Sequence, residues 1–183
     1  MILDVVWCPR TDQSIQLCDN SCKSDTDEFT LPDNVYNKIL KILNVEIFMD
    51  LFASTALHRC ELFYTKKPSL GSRGADALKF DWSSKGTMLC FPPKNLLFKV
   101  FSKIESAEEL KLVLVFIKTK GETIFKLFVD GDKQFKSYVK TCLTFESRVY
   151  SPFFQNKFSI SIHDWYVLHI VKSKKSFNVT IKI

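Results

Sequence analysis

The sequence predicts a single α/β domain built on a sheet that is parallel through its N-terminal two-thirds, with antiparallel strands at its C-terminal edge. Three observations carry this expectation. Strand-like and helix-like apolar patterns alternate up to residue 117, as they do in βαβ units. The run at 110–117 (LKLVLVFI) is apolar on both faces, as a central strand covered on either side must be. Beyond it, strand-like runs at 145–150, 158–162 and 165–171 follow one another closely, with 177–183 as a candidate fourth. That spacing suits antiparallel hairpins.

Taken in order, residues 2–7 read as a strand of β-branched and aromatic residues, stopped by Cys8-Pro9. Residues 10–29 are polar and aperiodic, with Asp25, Asp27 and Glu28 clustered, and read as a loop or extended arm. A helix is predicted next. Thr30 is its N-cap candidate, with Pro32 in the first turn and Asp33 completing a capping-box pattern. Val35, Tyr36, Ile39, Leu40 and Leu43 then form one apolar stripe at helical spacing. The run 46–52 reads as a buried strand interrupted by Asp50. A carboxylate near the C-terminal end of such a strand either joins a ligand site or caps the turn that follows.

Residues 66–75 (KKPSLGSRGA) read as a surface loop and 76–82 as a short mixed segment. An inner strand is predicted at 87–91, stopped by Pro92-Pro93. An amphipathic helix follows at 95–104, with Leu96, Leu97, Val100, Phe101 and Ile104 on one face. A further helical spacing runs over 132–142 through Phe135, Tyr138, Val139 and Cys142. The expected organisation is a strand and polar arm at 1–29 and one α/β domain at 30–183.

A chain of 183 residues that is 46% hydrophobic is long enough to bury a core without covalent staples. Phenylalanine occurs 17 times against 5 glycines, which favours packed elements and raises the prospect of an apolar partner surface. The net charge of +6 is spread along the chain. Its densest run, Lys172, Lys174 and Lys175, reads either as a solvated turn or as an anion contact. No window approaches the roughly 18 apolar residues of a membrane span. The first residues lack the basic and apolar regions of a signal peptide, so an intracellular protein with reduced thiols is expected. Cys18 and Cys22 have the spacing of half a zinc site, with Cys8 and His58 as conceivable partners, but no second tight pair exists and no metal is expected.

The usual catalytic motifs are absent: there is no G-x-G-x-x-G, no P-loop and no G-x-S-x-G. The histidines are scattered, and His163 and His169 flank a strand-like run. What the sequence does carry is an ordered series. Asp50-Leu51-Phe52-Ala53-Ser54 is followed by Asp76-Ala77-Leu78, then Asp81-Trp82-Ser83, then Phe91-Pro92-Pro93 and an apolar helix. This series resembles the segment that follows ribonuclease H in DIRS-type tyrosine-recombinase retroelement polyproteins. There the pattern reads DLFAS, a DAF and DW pair, and AFPP before a helix. The likeness spans residues 5–120. Val6-Trp7-Cys8-Pro9-Arg10 likewise resembles the V-P-R that ends a retroelement ribonuclease H. Gln16-Leu17 stand where that family's Ala-Asp pair supplies a metal-binding carboxylate, so nuclease activity is not expected.

The same segment looks like phage-type Dam DNA adenine-N6 methyltransferases, and the resemblance implies a Rossmann-like methyltransferase-type sheet. It places Asp50 and Ala53 in a pocket for S-adenosylmethionine, with Asp76 or Asp81 beside it. Phe91-Pro92-Pro93-Lys94 would form the catalytic turn. In that family the turn opens with a residue that accepts hydrogen bonds from the adenine amine and closes with an aromatic that stacks on the flipped base. Here Phe91 has no acceptor and Lys94 no ring; an unpaired amine in a buried site costs about 1–3 kcal/mol. The resemblance therefore implies a non-catalytic, retroelement-derived domain, serving an element or a host, that binds protein or nucleic acid. The alternative is an S-adenosylmethionine-dependent methyltransferase with an altered motif. Candidate nucleic-acid contacts are Arg73, Lys94, Lys99, Lys103, Lys172, Lys174 and Lys175. Phe145, Phe153, Phe154, Phe158, Trp165 and Tyr166 could supply a protein interface or fill the core. The family analogy makes nuclear residence the expectation over cytoplasmic.

Overall fold

The computed structural model describes residues 31–83, 86–117, 125–131, 134–149 and 160–173. The expected strand at 2–7, the arm at 10–29, Thr30, Cys8, Cys18, Cys22, Phe153, Phe154, Phe158, Lys174, Lys175 and the run 177–183 lie outside these residues.

Two helices, α1 (Asp33–Leu43) and α2 (Leu97–Ser106), accompany seven strands: β1 (Ile47–Ala53), β2 (Phe63–Thr65), β3 (Gly74–Ala75), β4 (Thr87–Cys90), β5 (Leu110–Ile117), β6 (Val139–Val149) and β7 (Ile160–Lys172). They form one sheet in the order β3-β2-β1-β4-β5-β7-β6. Neighbours from β3 to β5 are parallel, and β7 is antiparallel to both β5 and β6. The expected mixture of a parallel body and an antiparallel C-terminal edge is present.

The sheet is buried on both sides because β5 alternates. Leu112, Leu114 and Phe116 pack with α2, while Val113 and Val115 pack with α1. On α2, Leu97, Val100 and Ile104 are buried against Met49, Met88 and Leu168. On α1, Tyr36, Ile39 and Leu43 cover Leu89, Trp165 and Val167. Burying one such side chain is worth about 1.5–3 kcal/mol, several times any difference in helix propensity, so packing decides where these helices lie.

The helix ends follow local rules. The N-cap of α1 is Pro32, which makes no side-chain capping bond, and Asp33 places a carboxylate in the first turn. Its C-terminal cap is Asn44 at φ 52°, with Val45 N–H bonded to the Leu40 carbonyl and Asn44 N–H to that of Lys41. This is a Schellman closure. The last turn of α2 is capped from a distant strand: the Lys172 ammonium donates to the Ile104 and Glu105 carbonyls, each at 2.8 Å. The Glu105 carboxylate accepts from the Tyr138 hydroxyl and pairs with Lys136 at 3.2 Å, tying α2 to the approach to β6.

The helix expected over 132–142 is not formed among its described residues, 134–142. Phe135 makes an isolated bridge to Val129, and Val139 opens β6 opposite Ile170. The apolar spacing at 135, 138, 139 and 142 matches a helix, but β7 offers Val139 and Cys142 paired edge positions, and the ladder wins. The described parts of the runs expected separately at 158–162 and 165–171, from Ile160 onward, belong to one strand, β7, and the run expected at 145–150 falls, as far as Val149, at the end of β6. Strands β2 and β3, three and two residues long, were not read from the sequence at all. Among the described residues, no helix is long and apolar enough to cross a membrane.

Candidate functional site

Strand order reverses between β1 and β4: the chain leaves β1 toward β2 and β3 on one side and continues from β4 to β5 on the other. Connections diverging at such a point open a crevice beyond the carboxyl ends of the strands, where open α/β sheets bind ligands. Three cavities meet there.

The largest, about 660 Å³, lies over the ends of β1, β2, β3 and β4. Ala53 ends β1 at its wall, Thr65 with Lys66 and Lys67 follows from β2, and Asp76 follows β3. The turn after β2 is fixed by Thr65, whose hydroxyl donates to the Lys67 carbonyl at 2.5 Å and accepts from the Ser69 hydroxyl at 3.2 Å. Asp76 adopts φ 61°, a left-handed conformation that aspartate tolerates better than most residues. Its N–H reaches the Thr65 carbonyl at 2.8 Å, and its carboxylate accepts from Leu78 N–H at 3.3 Å and lies 3.6 Å from the Lys79 ammonium. Behind it the Trp82 indole, 1% exposed, donates to the Ala77 carbonyl at 2.8 Å.

A second cavity of about 450 Å³ opens on the α1 side, with Tyr36, Asp50, His58 and Arg59 among its walls. Asp50 is 4% exposed and accepts from the backbone N–H groups of Arg59 (3.2 Å) and Phe52 (3.3 Å). Burial pushes its carboxyl up to about 6, against the pull of those two bonds and of the Arg59 charge. The Arg59 guanidinium lies 4.8 Å over the Tyr36 ring and is bonded to the Asp33 carboxylate and the Leu31 carbonyl. Burial, with the Asp50 charge, pushes the Tyr36 phenol up to about 12.

A smaller cavity of about 110 Å³ sits between these two, against Phe52, Phe91, Pro92, Lys94 and Phe116. Phe91 is half-buried, its ring 5.3 Å from that of Trp165 and edge-on to it at 74°. Pro93 leads into a short 3-10 turn, Lys94–Leu96, and Lys94 is exposed.

The expected cofactor residues are thus split. Ala53 and Asp76 share the 660 Å³ cavity, but Asp50 does not join them. Side chains alternate along a strand, and Asp50 sits between Met49 and Leu51, which face α2, so its carboxylate points to the α1 side. Asp81 is elsewhere again, in a shallow pocket of about 210 Å³ beside Lys103. The Ser83 N–H (3.0 Å), the Ser83 hydroxyl (2.9 Å) and the Lys103 charge hold its carboxyl below the usual range. Of the Asp81-Trp82 pair, the tryptophan is a core anchor and the aspartate is exposed.

The expected basic contacts do not gather in one place. Lys94 lines the central cavity, Lys103 neighbours Asp81, and Lys172 is committed to capping α2. Arg73 and Lys99 are exposed, Arg73 beside β2 through its N–H bond to the Phe63 carbonyl. The lysines that do reach the large cavity, Lys66, Lys67 and Lys79, were not singled out in the sequence. The signal for Lys66 and Lys67 was the Lys66-Lys67-Pro68 tripeptide, but the strand that positions it is only three residues long. Trp165 and Tyr166 are core residues, and Phe145 stacks on Trp165 at 6.3 Å, so these three do not form the apolar interface considered for them. His58 stacks on Phe63 at 4.2 Å, and Cys60, Cys90 and Cys142 are free thiols. Compared with protein-family models and with curated proteins, the chain matches none.

Proposed function

We propose that the chain is a retroelement-derived, methyltransferase-like domain that does not transfer methyl groups and acts by binding nucleic acid. The observation that carries this reading is the turn after β4. Phe91 stands where the adenine amine would need an acceptor, and its ring is turned onto Trp165. Pro92 and Pro93 add no side-chain acceptor, and Lys94 presents a cation where a stacking ring would be required. Sheet order supports the Rossmann-like methyltransferase-type reading, since a switch point between β1 and β4 and an antiparallel closing pair are what that resemblance implies. Nucleic acid is favoured over a protein partner because the carboxyl-end crevices carry Lys66, Lys67, Lys79 and Lys94, whereas Trp165 and Tyr166 are consumed by the core.

The size of the large cavity favours one other reading, an S-adenosylmethionine-dependent DNA adenine-N6 methyltransferase with an altered motif. Its lining fits that cofactor poorly. S-adenosylmethionine is a net cation at neutral pH, Asp76 is the one acidic residue at the wall, and Lys79 already lies beside it. Incubation with radiolabelled S-adenosylmethionine and unmethylated duplex DNA separates the readings. The proposal expects no label transfer and an affinity for single-stranded DNA that falls steeply with salt. Label transfer would replace it with the enzyme, and flat salt dependence or no DNA binding at low salt would remove the nucleic-acid reading.

A further inference from the structure

We propose that the 660 Å³ cavity is a binding site for a nucleoside carrying a phosphate on the 3′ edge of its ribose, with Lys66 and Lys67 receiving the phosphate. The assignment rests on the nucleic-acid-binding reading above and names the chemistry of its site. In open α/β sheets a nucleoside laid across the switch point brings its ribose edge to the end of the second strand. An acid there receives the hydroxyls, and a basic residue there accommodates a phosphate instead. In this chain β2 ends at Thr65 and continues directly into Lys66 and Lys67.

Both lysines line the cavity and are exposed, and neither ammonium meets a carboxylate among the described residues. The backbone beneath them is held by the Thr65 and Ser69 hydroxyls, so the loop presents the two amines from a fixed base. Beside them the wall is built of small or flat residues, Ala53, Ala75, Ala77 and Pro68, which leave room for a base. Asp76, the one acid, is engaged by Leu78 N–H and Lys79. A cavity of this volume with an apolar wall and a few convergent polar groups suits a nucleoside-sized ligand.

The phosphate has two sources, a free nucleotide or the 3′ end of a nucleic-acid strand. Titration calorimetry of the full chain with each of the four nucleoside 3′-monophosphates, the matching nucleosides and S-adenosylmethionine tests the site. At least one 3′-monophosphate is expected to bind about 10- to 100-fold tighter than its nucleoside, the range of one or two charge-assisted hydrogen bonds. The double variant Lys66→Gln/Lys67→Gln should abolish that difference, and circular dichroism checks that these exposed substitutions leave the fold intact. Equal affinities, no binding by any 3′-monophosphate, an unchanged preference in the double variant, or tighter binding of S-adenosylmethionine would each overturn the assignment. A short oligonucleotide ending in a 3′-phosphate sorts the sources: tighter binding than the mononucleotide identifies a strand end, and weaker binding a free nucleotide. Methyl transfer to DNA would strike down the underlying reading. Salt-sensitive DNA binding together with equal affinities for each 3′-monophosphate and its nucleoside would strike down this site alone.

Discussion

The two large crevices flank the same strand, yet they solve opposite electrostatic problems. On the α1 side of β1, Asp50 is buried with two backbone donors, and Tyr36 and Arg59 form a wall whose polar groups are turned on one another. On the other side, Ala53 carries no charge, and the cations of Lys66 and Lys67 stand at the rim without an ion pair among the described residues. The first crevice is occupied with satisfying itself, and the second has interactions to offer. Chemistry-bearing residue types therefore mislead when their face is ignored: the most deeply buried acid of the parallel half lies where ligand charge is least welcome.

Substitutions at four positions sharpen this contrast. The largest effect is expected at Trp82, whose indole holds the Ala77 carbonyl at the floor of the open cavity while filling the core. Trp82→Ala should cost about 3–5 kcal/mol in urea unfolding and remove ligand binding with it; a loss below 1 kcal/mol would mean that the cavity does not depend on this anchor.

Next comes Asp50. Its native carboxyl titrates at about 6, above its value in an unfolded chain, so the native state holds the proton more tightly. The stability that Asp50 contributes should then be fully present below pH 4, fall as pH rises toward 6 and be absent beyond, a change of about 2–3 kcal/mol across the window. Asp50→Asn should flatten that slope while leaving nucleotide affinity in the opposite crevice unchanged. An identical pH profile in the variant would show that the acid is not desolvated as described.

Asp76→Ala removes the bond to Leu78 N–H and leaves alanine at φ 61°. A loss of about 1–2 kcal/mol is expected from cap and backbone together, whereas Asp76→Asn, which tolerates the same backbone, should recover most of it. The smallest change belongs to Lys172→Met. It should cost about 1 kcal/mol through the last turn of α2 and leave DNA affinity alone, because this lysine is already spent on Ile104 and Glu105. Weakened DNA binding in this variant would restore Lys172 as a contact.

Much of the parallel body was legible because its elements are long enough to show a period. The stripe through Tyr36, Ile39 and Leu43 and the doubly apolar β5 announced α1 and the sheet centre. Strands β2 and β3 are too short for any period, and with them went the reason to notice Lys66 and Lys67. Phe135, Tyr138, Val139 and Cys142 fit a helix as well as they fit a turn entering a strand, and only the partner strand β7 decides between them. The face taken by Asp50 was open to reading from its place between the apolar Met49 and Leu51, but its relation to Ala53 was not, because the register of β1 on β2 shifts between Asp50 and Ala53.

The placement of β7 has a consequence for how the protein comes off the ribosome. It is the last strand of the sheet in the described chain, yet it sits between β5 and β6 and pairs with β5 from Leu110 through Ile117. Until it arrives, the free edge of β5 presents Leu112, Val113, Leu114, Val115 and Phe116 as an uncharged stretch of strong β-formers. Such an edge templates pairing with other chains. Nascent protein halted between β5 and β7 should therefore be the form most prone to aggregate and most dependent on chaperones, and pairing across so many intervening residues makes that interval long.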